Sequence, residues 1–228
     1  MRSLVELEQR VVGCRLCPRL VAHGEHAAAH PRPAFAGQDY WARPVPGFGD
    51  PGARVYVLGL ATSAHGGNRT GRAFTGNATA DWLVAAMHRA GLANQPASTH
   101  RGDGLRLHGA WMASAVRCAP PHDRPTSDER RACARYLDAE LELLTGVRVI
   151  VCLGALAWNA AAAWDGLRPR PPFGHGREQP VGAGRLLLGC YHPSPQNTRT
   201  GRLTEPMLDD VLRRAAALAA RPAEEMRS

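Results

Sequence analysis

The sequence predicts an α/β fold, a three-layer α/β/α sandwich around a central four-stranded parallel sheet. Two observations carry this. Four short apolar runs, Arg54–Leu60, Ala110–Val116, Val147–Leu153 and Arg185–Cys190, are nearly continuous rather than alternating, as in strands covered on both faces. Helical patterns flank and separate them, at Ser3–Val12, Thr79–Ala90, Ser127–Leu144, Ala155–Trp164 and Glu205–Ala220.

The chain opens on MRSLVELEQR, a charged helical pattern without the apolar centre of a signal peptide. Thr126 and Ser127 followed by Asp128 and Glu129 mark a helix start, because short polar side chains cap the free N–H groups and acids complement the helix dipole. Segments rich in Pro, Gly and Arg lie at Ala27–Gly52, Asn94–Gly109 and Pro169–Gly184. None is long enough to separate one folded unit from another, so residues 1–228 read as one domain with an N-terminal cysteine segment. In open α/β sheets ligands gather at the carboxyl ends of strands. The ends after Leu60, Val116 and Cys190 lead into polar, Gly- or Pro-rich loops, whereas Leu153 runs almost directly into a helix. The site is therefore expected from the first three.

Net charge is 28 − 20 = +8, a balance that favours a polyanionic partner. No apolar run approaches the roughly 18 residues of a membrane span, so a soluble, cytoplasmic protein is expected. All basic side chains apart from histidine are Arg, and Lys is absent. That excludes covalent catalysis through a lysine Schiff base.

Six cysteines occur. Cys152 and Cys190 lie inside apolar strands, where a thiol acts as a small hydrophobe. Cys14 and Cys17 form a C-x-x-C element before Pro18, Cys118 ends a strand, and Cys133 falls on the following helix. Four thiolates suit a tetrahedral zinc or a 4Fe–4S cluster. Spacing does not choose between the two, or against unpaired structural cysteines.

Two loops carry the remaining signal. Gly59–Asn77 reads GLATSAHGGNRTGRAFTGN, with glycines that let backbone approach a ligand and arginines that can meet phosphates. Tyr191–Arg202 reads YHPSPQNTRTGR and directly follows the last strand. With YWARPVPGFGDPG at Tyr40–Gly52, VRCAPP at Val116–Pro121, FGHG at Phe173–Gly176 and TGRLT ending at Thr204, these blocks resemble the family 5 (type b) uracil-DNA glycosylases of the uracil-DNA glycosylase superfamily. The resemblance spans nearly the whole chain.

The resemblance implies a 4Fe–4S cluster on Cys14, Cys17, Cys118 and Cys133, structural rather than redox-active in the reaction. It implies excision of uracil and other deaminated bases from DNA, the nucleotide being turned out of the stack into a pocket. Phe74 matches the residue on which the base stacks, and His192 the donor to a uracil carbonyl oxygen. Gly59, Ala61, His65 and Asn77 complete the expected base contacts. Arg69, Arg72, Pro193, Ser194, Gln196, Asn197, Arg199 and Arg202 are the expected DNA contacts, with Pro193–Arg202 as the intercalating loop. The partner is DNA containing such a base, with no membrane and the chain acting as a monomer.

Two positions depart from the family pattern. Other branches carry an acid or amide in the first motif, where this chain has apolar Leu60, as family 5 does. Family 5 commonly carries Asp after FTG, assigned to the attacking water, where this chain has Asn77; two residues past APP it often has Asn, where this chain has Asp123. The two changes would exchange a carboxylate and an amide across one pocket. His65 and Asp81 stand in reserve for that water. Two other readings follow from the same residues: a damage-binding protein that has lost base release through Asn77, and an iron–sulfur electron-transfer or regulatory protein on the same scaffold.

Overall fold

A computed structural model describes residues 3–221. Four strands form the parallel centre of the sheet: β2 (Val55–Ala61), β3 (Ala110–Val116), β4 (Val149–Leu153) and β6 (Arg185–Cys190). Two short antiparallel strands extend it, β1 (Phe48–Gly49) beside β3 and β5 (Glu178–Val181) beside β6. The order is β1-β3-β2-β4-β6-β5. The four expected strands are present, and the two edge strands correct the expected count. Both edges arise in segments whose Pro and Gly content concealed them.

Register fixes which side chains face which layer. Val57 lies beside Met112 and Val151, and Val151 beside Leu188. After β2 the glycine-rich loop makes one helical turn, α3 (Gly67–Thr70). The row itself packs on α4 (Ala78–Arg89) and α8 (Glu205–Ala220), with Leu83, Met87, Leu208 and Leu212. The alternate residues Tyr56, Leu58, Trp111, Ile150 and Leu187 face α5 (Ser127–Leu143) and α6 (Ala155–Trp164), with Leu137, Leu141 and Trp158. Because side chains alternate across a strand, both sheet faces are buried. That explains the unbroken apolar runs.

A third, smaller core joins α1 (Leu4–Val12) and α2 (Pro18–Ala29) to α5 through Leu7, Val11, Leu20, Val116, Tyr136 and Ala139. Ser3 caps α1, its Oγ accepting from the Glu6 N–H at 3.2 Å. Thr126 and Glu129 form a reciprocal capping box at the start of α5. Glu129 also takes two bonds from Arg19 of α2, at 2.8 and 2.7 Å. One residue thus starts a helix and ties another to it.

Arg117 follows β3 and is 1% exposed. Its guanidinium donates to both carboxylate oxygens of buried Glu140, at 2.9 and 2.6 Å, and the Tyr56 hydroxyl donates to the same carboxylate. A charge this deep is tolerated only when paired and hydrogen-bonded. The Arg117 backbone N–H points to Cys133 Sγ at 3.3 Å, and its carbonyl accepts from Thr62 Oγ1 at 3.0 Å.

Candidate active site

A cavity of about 560 Å³ opens at the carboxyl ends of the parallel strands, within the roughly 300–1,000 Å³ typical of small-molecule sites. Its walls come from Leu60 and Ala61 at the end of β2 with Thr62 and Ser63 beyond it, Ser114 of β3, Leu153–Leu156 at the β4–α6 junction, and His192 with Ser194 and Pro195 after β6. Phe74, Asn77, Asp123 and Arg32 complete it. All four central strands thus contribute. The expectation that the β4 end stands aside is corrected: Gly154, at φ +87°, makes the turn into α6 and lies 3.4 Å, at its would-be Cβ, from the His192 β-carbon.

His192 is half-buried, and among the described residues neither ring nitrogen has a hydrogen-bond partner. Burial pushes its pKa down, against a smaller upward pull from the Asp123 charge. The ring is accordingly neutral at neutral pH and offers one N–H donor to the cavity. Its backbone is fixed from below, where Asn197 Nδ2 and the Ser194 N–H both donate to the His192 carbonyl, at 2.9 and 2.8 Å. Asn197 and Ser194 therefore brace the loop, and Pro193 is buried beneath it. Residues Pro195–Arg199 form a helical turn, α7, that leaves Gln196, Arg199 and Arg202 exposed beside the cavity.

Phe74 adopts φ +48°, a backbone region costly for a bulky side chain. Its ring lies on Gly59: a β-carbon there would stand 2.6 Å from Phe74 Cζ. Gly59 is buried behind the ring and does not line the cavity. The expected base contact at Gly59 becomes a support for Phe74.

Asn77 caps α4, its Oδ1 accepting from the Ala80 N–H at 2.9 Å. A β-carbon at Gly66 would collide with its Nδ2, so this glycine makes room for the amide. With the oxygen engaged in the cap, the amide nitrogen remains as the donor. Asp123 is exposed at the rim, and His122 and Asp123 are consecutive left-handed residues, at φ +56° and +55°. Asp81 is exposed in the first turn of α4 and does not line the cavity.

Several expected contacts move elsewhere. Arg72 is 3% exposed, with its guanidinium spent on Thr75 Oγ1, Ser98 Oγ and Asp103. Burial pushes the Asp103 carboxyl upward, but bonds from Arg72 and the Leu105, Thr99 and His100 backbone outweigh it and hold the group well below the usual carboxylate range. Arg72 locks the loop and cannot reach a phosphate. His65 takes part in a 2.9 Å bond with the Tyr40 hydroxyl and stands beside Phe35, outside the cavity. Arg69 lies over Phe35 and donates to the His65 and Gly76 carbonyls and to Gln38. Both residues shape the loop from behind rather than facing a base.

The FGHG motif also supports the site. The Tyr191 N–H donates to His175 Nδ1 at 3.1 Å, the two rings stack at 4.9 Å, and Phe173 packs between Trp158 and Tyr191. Gly189 admits the Gly174 carbonyl where any β-carbon would collide with it. The end of β6, and with it His192, is thereby positioned.

Beside the site, Cys14, Cys17, Cys118 and Cys133 line one small cavity with Leu20, Val116 and Tyr136. Burial, then the charges of the other three cysteines and Glu129, would push the Cys118 thiol up to about 12. Thiols gathered in one cavity become thiolates together when a cation offsets their mutual repulsion. Among the described residues, no three His, Cys, Asp or Glu side chains are drawn together as ligands of a single metal ion.

A family model, the uracil DNA glycosylase superfamily, matches residues 46–216, a span holding the whole cavity except Arg32. A type-5 uracil-DNA glycosylase of Thermus thermophilus is 54% identical over 212 residues, covering 92% of this chain and 96% of the relative. The chain belongs to the type-5 uracil-DNA glycosylases. Two further members are similarly close. The type-5 enzyme of Mycobacterium tuberculosis is 51% identical over 220 residues, 95% of this chain and 82% of its own. That of Pyrobaculum aerophilum is 47% identical over 208 residues, 91% and 90%. The resemblance read from the motifs holds, and the α/β sandwich is that of the glycosylase superfamily.

Sequence reasoning missed much of the wall of this glycosylase site, including Arg32, Thr62, Ser63, Thr79, Ser114 and the Leu153–Leu156 turn. Only Ser114 left a signal, as the one hydroxyl inside the apolar run AWMASAV. Among the described residues no helix is long and apolar enough to cross a membrane.

Proposed function

We propose that this chain is an active uracil-DNA glycosylase that hydrolyses the N-glycosidic bond of uracil and other deaminated bases in DNA. The observation that carries the reading is the placing of Phe74 and a neutral, unpartnered His192 in one cavity at the strand ends. A base in a duplex is out of reach, so the nucleotide is turned out at a cost of a few kcal/mol, least at a mispair. The exposed Arg199 and Arg202 hold the flanking phosphates and the α7 loop fills the gap. Phe74 stacks on the base. As the bond breaks, charge collects on the base oxygen, and the His192 N–H meets it there more strongly than in the ground state.

The chain has no Lys, so no side-chain amine captures the sugar. The product is an abasic site in an intact strand. The damage-binding reading gains no observation in its favour, since stacking ring and donor are both in place.

The same proposal assigns a 4Fe–4S cluster to Cys14, Cys17, Cys118 and Cys133. Support comes from the four thiols lining one small cavity. Such a group supplies a structural tie between the α1–α2 segment and α5, and no electron for base release. Iron and sulfide analysis of anaerobically purified protein checks it.

The test of function is single-turnover release of free base from duplexes carrying uracil, hypoxanthine or xanthine. Wild type releases base and leaves the strand uncut. Loss of one preorganised donor in His192→Ala slows release about 100- to 1,000-fold. Wild-type protein that binds U·G duplex without releasing uracil would refute the proposal.

A further inference from the structure

Among the described residues lining the cavity, Asp123 is the only acid and Arg32 the only strong base. Asn77, a neutral amide in the same wall, accepts from the Ala80 N–H at the cap of α4 and turns its amide nitrogen to use as a donor. A donor can hold water through the water's lone pairs but cannot take its proton.

Asp123 is built into position at a cost. It and His122 both sit at left-handed φ, following the rigid Pro120–Pro121 pair. Such backbone persists where the surroundings over-determine it, and clusters at functional sites. The turn is closed by backbone alone, the Asp123 N–H donating to the Pro120 carbonyl at 3.2 Å and the Arg124 N–H to Pro121 at 3.1 Å. Among the described residues the carboxylate itself has no hydrogen bond and no ion pair. Asp123 faces the same space as His192, and its charge is felt there.

We propose that Asp123 is the catalytic carboxylate of this site, orienting the attacking water and accepting its proton, with Asn77 as a donor that helps hold that water. The proposal rests on the glycosylase reading above. The C1′–N bond breaks with its electron pair leaving on the base, stabilised at the base oxygen by His192. The water oxygen forms the new bond to C1′. The proton it sheds passes to Asp123 and then to solvent, while the base anion takes one from solvent. One water is consumed, and free base and an abasic sugar are formed.

The test compares wild type, Asp123→Asn and Asp123→Gly. Asn and Gly both accept left-handed φ, so neither variant disturbs the turn. Single-turnover release from a U·G duplex is measured beside the affinity for a duplex carrying non-cleavable 2′-fluoro-deoxyuridine. Asp123→Asn is expected to slow release by about 100-fold or more, the usual share of a general base, with duplex affinity unchanged or tighter. Sodium formate is expected to raise the rate of Asp123→Gly while leaving Asp123→Asn unchanged, a response no structural role produces. Release by Asp123→Asn within threefold of wild type, or no formate response in Asp123→Gly, overturns the assignment while leaving the glycosylase reading intact. An inactive wild type overturns both.

Discussion

Gly59→Ala probes the link between the sheet and the base platform. The added β-carbon would stand 2.6 Å from Phe74 Cζ and 3.3 Å from Cε1, where carbon pairs rest at about 3.5–4.0 Å. The ring must retreat by about 1 Å. The backbone offers little relief, because Gly59 is paired within β2 opposite Ser114 and Phe74 already holds φ +48°. The ring therefore moves into the cavity it lines. Overpacking of this kind costs about 1–3 kcal/mol, or about 2–12 °C in Tm for a domain of this size. Displacing a positioning group by about 1 Å costs up to about 100-fold in rate. Thermal melting and single-turnover uracil release report the two effects separately. Adding Phe74→Leu restores the melting temperature but not the rate, because the clash and the stacking face vanish together. Gly59→Ala that melts and releases uracil like wild type would refute the argument that this glycine exists to seat the ring.

Three further outcomes follow from other regions of the molecule. Arg199→Ala, at the exposed end of α7, weakens duplex binding alike for damaged and undamaged DNA and lowers the salt slope of log K by about 0.9, as expected for one lost phosphate contact; binding titrations from about 50 to 200 mM salt read it. Glu140→Ala strands the Arg117 guanidinium in the interior and costs about 3–5 kcal/mol, whereas Arg117→Met with Glu140→Leu costs far less; urea midpoints distinguish them. Burial lowers the pKa of His192 and of His175, and burial with Arg32 and Arg69 lowers that of His65. The unfolded chain then takes up protons first on acidification, so their contribution is complete above about pH 6.5 and is lost as pH falls through the lowered native values; urea midpoints fall from about pH 7.5 to about pH 5.5, and His192→Gln flattens some of that slope.

The centre of the sheet was legible because both its faces are buried, which forces unbroken apolar runs. Its edges were not. β1 is two residues long, and β5 contains Pro180 with alternately exposed side chains. Helix α2 escaped notice because an Ala- and His-rich stretch buries only Leu20, Gly24 and Ala27, too few for a visible apolar stripe. Phe74, Asn77, Asp123 and His192 could be placed by motif and by position at strand ends. Arg72 could not, since its fate depends on Asp103, 31 residues along and in a different loop. An arginine in a glycine-rich loop reads as a phosphate contact until its buried partner is seen. The β4 end was set aside for lack of a loop, yet one glycine supplies the turn that a loop would have given.

The outermost strands have a consequence for self-association. Exposed strand edges recruit further strands through their free N–H and C=O groups. Here one margin is too short to template such pairing. The other interrupts its donors at Pro180 and anchors Glu178 to Arg214 of α8, at 2.6 Å. Each margin of the sheet is therefore a poor template for adding a strand from a second molecule.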